Sequence, residues 1–69
     1  MKTFASIEEA FQWWLENIYP SLPPDVKKGK PVSAWRDYKH GGGVSEKRMK
    51  EILTEFGPFE IQTIITYKT

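Results

Sequence analysis

At 69 residues, with no cysteine and a single histidine, the chain has room for one domain and excludes disulfides and the ordinary kinds of zinc site. Its formal net charge of +1 names no partner, but residues 27–50 hold eight Lys and Arg against Asp37 and Glu46, while the flanking segments are each net acidic. No run approaches the ~20 apolar residues of a membrane helix and none after Met1-Lys2-Thr3 has signal-peptide length, so a cytoplasmic protein with no membrane partner and no cofactor is expected.

Residues 1–5 are brief, with Phe4 suited to a short edge strand. Ser6-Ile7-Glu8-Glu9 then reads as a capping box, the Ser6 hydroxyl meeting the Glu9 amide while the Glu9 carboxylate reaches back. Ile7, Ala10, Phe11, Trp14, Leu15 and Ile18 follow at helical spacing, predicting a helix over about 6–19 with one apolar stripe. Trp13 is turned away from that stripe. We expect the following segment to fold back over it; otherwise it is an exposed anchor for a partner protein. Pro20-Ser21-Leu22-Pro23-Pro24 is expected to end the helix and run extended, and Pro20 with Pro23 makes a PxxP spacing of the kind that docks in aromatic grooves.

A polar loop is expected from Asp25, then a short extended piece at 30–32. Ser33 looks like the cap of a short helix over about 34–39 that turns Trp35 and Tyr38 to the core. His40-Gly41-Gly42-Gly43 breaks it. A third helix over about 45–56 starts at the Ser45 cap, with Val44 and Met49 spaced as a hydrophobic staple, and Gly57-Pro58 stops it. From Phe59 the period changes to two, predicting one strand over 59–67. Its backbone groups need partners from residues 1–5, from 30–32, or from a second copy, which makes a homodimer through this strand a candidate assembly. The fold expected is α+β, a single small domain over 1–69 with three helices and a small sheet.

No catalytic constellation emerges. His40-Gly41-Gly42-Gly43 matches the oxyanion string of some esterases, but the chain has no G-x-S-x-G elbow and too few residues for the hydrolase sheet. A glycine run leading into a helix start can cradle an anion, and Lys39, His40, Lys47 and Arg48 surround this one, although it is no nucleotide P-loop. Two helices joined by a glycine turn and followed by a strand are arranged loosely like a winged helix, with three departures: a short first helix, three glycines in the turn, and a chain expected to end before a second wing strand. The first expectation for function is a small regulatory or nucleic-acid-binding protein. In it Arg36, Lys39, His40, Lys47, Arg48 and Lys50 meet phosphates, and Gly41, Gly42 and Gly43 let the backbone approach. The alternative is an inhibitor or adaptor without enzymatic activity, binding protein through Trp13, Pro20, Pro23 and Ile64. No metal site is expected in either case.

Overall fold

The structure is a computed structural model, and it describes residues 2–62 and 64–68. In chain order the elements are strand β1 (Lys2–Phe4), helix α1 (Ile7–Asn17), a 3-10 turn (Tyr19–Ser21), helix α2 (Pro24–Lys27), helix α3 (Lys30–His40), helix α4 (Glu46–Glu55), and strands β2 (Phe59–Ile61) and β3 (Ile65–Tyr67). The fold is α+β: helices cover one face of a three-stranded antiparallel sheet of order β1-β3-β2.

The strand expected over 59–67 is a hairpin. Ile61 stands opposite Ile65, so the chain reverses between β2 and β3, and β3 lies between β2 and β1. Residues 2–4 supply the pairing that the sequence left open, which removes the argument for a second copy completing the sheet. Across the sheet, Phe4, Phe59 and Ile65 are buried against the helices, while Thr3, Glu60, Thr66 and Lys68 alternate onto the outer face. Lys68 and Glu60 form an ion pair there.

Helix α1 begins as its capping box dictates: Ser6 Oγ accepts from the Glu9 amide at 3.2 Å, and Glu9 Oε2 accepts from the Ala5 amide at 3.1 Å. It ends at Asn17, two residues short of the expectation, and the chain tightens into the 3-10 turn. The proline segment is therefore not extended. Pro20, Pro24 and Pro31 each occupy the first or second position of a helical element, because a ring-locked φ and a missing amide are tolerated where the amide has no helical partner. The same rule lengthens α3. It starts at Lys30 from Gly29, whose φ of +88° favours glycine, so residues 30–32 are helical and Ser33 is an interior residue rather than a cap.

The core joins α1, α3, α4 and the sheet through Phe11, Trp14, Ala34, Ile52 and Leu53, with Trp14, Phe11 and Leu53 sealed from solvent. Trp14 stacks on Phe11, and its Nε1 donates to the Phe56 carbonyl at the end of α4, 3.3 Å away. Ser45 caps α4 by accepting from the Arg48 amide, and Val44 packs on the core beside it. Among the described residues, no buried side-chain nitrogen or oxygen lacks a partner. No helix among them is long and apolar enough to cross a membrane.

Candidate functional site

The basic segment folds into α3, the glycine turn and α4, and the two helices are tied at both ends. Lys30 at the start of α3 meets Glu55 at the end of α4, 3.1 Å apart. Asp37 in the last turns of α3 meets Arg48 in the first turn of α4, 2.7 Å apart. That is the pairing order of antiparallel neighbours. The second guanidinium nitrogen of Arg48 donates to Ser33 Oγ at 3.3 Å. Two of the eight basic side chains are thus engaged within the chain, and Lys27 lies over the Tyr19 ring.

The other basic residues spread out. At about 100° per residue, the flank of α3 that carries Lys30, Ser33 and Asp37 faces α4, which turns Lys39 to the opposite flank. On α4 the flank carrying Arg48 and Glu55 faces α3, and Lys50 falls on the far side. Arg36 and Lys47 are exposed, and Glu51, also exposed, lies one helical turn after Lys47 on α4. His40 is exposed and sets its ring edge-on to Trp35, centroids 5.5 Å apart.

The glycine turn is largely committed to the chain's own acceptors. The amides of Gly41 and Gly43 both donate to the Asp37 carbonyl at 3.1 Å, and the Arg48 amide goes to Ser45 Oγ. Three donors of an anion cradle are therefore in use, and Glu46 stands in the first turn of α4. Gly41 and Gly43 have local reasons to be glycine. A Cβ at Gly41 would lie 3.0 Å from the Asp37 carbonyl oxygen, and Gly43 has a φ of +105°, whereas Gly42 faces open space.

The other predicted contact residues lie elsewhere. Pro20 and Pro23 are exposed, but the 3-10 turn at Tyr19–Ser21 interrupts the extended conformation that a PxxP ligand presents. Ile64 is 56 % exposed at the β2–β3 turn. Trp13 is half-buried, and what covers it is the sheet rather than the segment that follows it. Its ring lies 4.7 Å from Tyr67, 5.6 Å from Phe4 and 6.3 Å from Phe59.

This four-ring cluster opens beside β1 into a cleft of about 320 Å³ between that strand and the outer face of α1. Phe4 and Trp13 line its apolar side, Glu9, Gln12 and Glu16 its helical side, and Lys2 its mouth. Sequence reasoning placed Phe4 on a short edge strand and Glu9 in the capping box of α1. It missed their juxtaposition, which depends on β1 pairing with a strand sixty residues away. A larger hollow, about 480 Å³, runs along α4 past Lys50, Glu51, Thr54 and Glu55, with charges of both signs on one helix.

Titration chemistry is sparse. The hydrogen bond from Lys68, the Lys68 charge and a hydrogen bond from Gln62 hold the Glu60 carboxyl below its ordinary value of 4.5, against a small opposing effect of desolvation. That pair sits on the outer face of the sheet, away from both clefts. Among the described residues, no three His, Cys, Asp or Glu side chains gather as a metal site. Comparison with known protein families, with curated proteins and with solved structures gives no match for the chain.

Proposed function

We propose that the chain is a small non-enzymatic binding module, an adaptor or inhibitor, that engages a protein partner where α1 meets β1. The observation behind this reading is the cluster of Phe4, Trp13, Phe59 and Tyr67, four rings in mutual contact of which Trp13 and Tyr67 reach solvent. Rigid aromatic side chains beside a cleft are the kind of anchor that dominates protein interfaces, because they bury much area for little lost entropy. The nucleic-acid reading keeps Arg36, Lys39, Lys47 and Lys50 as exposed cations. It loses ground because Arg48 and Lys30 are paired and because Lys39 and Lys50 occupy opposite flanks.

A photoreactive residue placed at Glu16, and separately at Lys47, tests the choice in the full chain. Protein cross-links from position 16 and none from 47 are expected. In parallel, the chain should not retard duplex DNA or single-stranded RNA at low salt. Retardation that falls steeply with salt and with Lys47→Ala, without cross-links from 16, replaces this reading by the nucleic-acid one.

A further inference from the structure

Resting on that reading, we infer that the cleft beside β1 receives an extended, basic peptide segment of the partner, added to the sheet as a fourth strand. Among the described residues β1 pairs only with β3, so alternate backbone groups of residues 2–4 face outward along an unoccupied edge. At β1, a strand laid along the edge would place every second side chain over Trp13 and Phe4, in the 320 Å³ between the strand and α1.

The charges select the occupant. Glu9 and Glu16 stand along the helical wall. Among the described residues, Glu9 uses one oxygen, in its bond from the Ala5 amide. The surrounding segment, residues 1–26, carries Lys2 against Glu8, Glu9, Glu16 and Asp25. A cation already rests on the aromatic side of the cleft, since Lys2 Nζ lies 5.5 Å from the Phe4 ring centre. Lysines or arginines on the strand face turned to α1 lay their stems over Trp13 and Phe4 and bring their charges to Glu9 and Glu16, whereas glutamates on that face meet like charge. A three-residue edge bearing a lysine is also how sheets resist indiscriminate pairing, so the acidic wall narrows the range of partners.

The probes are two synthetic octapeptides, one alternating valine with lysine and one alternating valine with glutamate, titrated into the isotope-labelled full chain. The basic peptide is expected to shift the amide resonances of residues 2–4 and the Trp13 indole, and to bind about tenfold more tightly than the acidic one. Glu16→Lys, at an exposed helix position, should erase that preference while leaving the remainder of the spectrum folded. Shifts confined to other surfaces, equal response to both peptides, or none at millimolar concentration overturn the inference. If cross-links from position 16 persist in that case, the protein-binding reading stands with a different mode of contact; if they too are absent, both fall.

Discussion

Arg48 and Asp37 face each other across the seam of α3 and α4, Nη1 to Oδ2 at 2.7 Å, and this contact removes an arginine from the surface where the sequence placed a phosphate contact. Both side chains are about two-fifths exposed, so solvent screens the pair and the gain is modest. Arg48→Ala and Asp37→Asn are each expected to cost under about 1 kcal/mol in urea denaturation. The double variant should be less destabilised than the sum of the two, because the lost interaction is shared. Strict additivity would show that the pair contributes nothing.

Trp14 carries far more. It is fully buried, stacked on Phe11, and joined through Nε1 to the carbonyl of Phe56. Trp14→Phe keeps an aromatic ring but orphans a carbonyl at the end of α4, with an expected loss of about 1–3 kcal/mol. Trp14→Ala also opens a cavity, at about 3–5 kcal/mol. For a domain this small that loss is expected to unfold a large fraction of molecules at room temperature. Thermal melts followed by circular dichroism check the order wild type, Phe, Ala.

How much of this was legible beforehand depends on parity and on proline. The caps at Ser6 and Ser45 and the stripe of α1 are local, and the structure has them where the sequence put them. The β2–β3 turn was not legible. Ile61 and Ile65 stand opposite each other yet have the same parity as in a single strand, so the in–out alternation is unbroken, and neither Gln62 nor Ile64 is a turn-forming residue. One long strand and a hairpin therefore share the same pattern. The sequence suggests that Pro20 and Pro24 end a helix and that Pro31 lies in an extended piece, whereas each begins a helical element, and both behaviours follow from the same missing amide. The candidate cleft was illegible for another reason: its strand and its aromatic neighbour Tyr67 come from opposite ends of the chain.

The glycine turn yields a contrast between neighbours. Gly43 holds a φ of +105°, and Gly42 has nothing within reach of an added Cβ and no positive φ. Gly43→Ala should destabilise by roughly 1 kcal/mol or more, since a side chain is strained in that conformation. Gly42→Ala should be neutral or stabilising by up to about 1 kcal/mol, because it restricts only the unfolded chain. Chemical denaturation of the two variants side by side decides it, and equal destabilisation would contradict this account of the turn.

Glu60 sets the sign of one pH effect. Its carboxyl is held below 4.5, chiefly by the hydrogen bond from Lys68, then by the Lys68 charge and Gln62. A lowered folded-state value means the stabilisation is fully present above the ordinary glutamate range and is lost as pH falls through the folded value. The Glu60 side chain is about two-fifths exposed and Lys68 about half, so solvent screens the pair, the effect on stability is small, and it lies wholly on the acid side of 4.5. A carboxyl-carbon NMR titration should find Glu60 below the other glutamates, and Lys68→Met should return it toward them. No upward movement in that variant would assign the lowering to something other than Lys68.

The order β1-β3-β2 makes one prediction about assembly. Both edges of β3 are occupied within the chain, by residues 2–4 on one side and 59–61 on the other. The sheet therefore needs no strand from a second molecule, and the two outer edges that remain, along β1 and β2, are each three residues long, with Lys2 on β1, features that discourage self-pairing. Light scattering is expected to give the mass of a single chain across a wide concentration range. If instead a dimer forms, a lysine-to-glutamate change at Lys2 separates the two routes to it. An interface along β1 would respond to the altered charge, whereas one built on the exposed Ile64 at the β2–β3 turn would not.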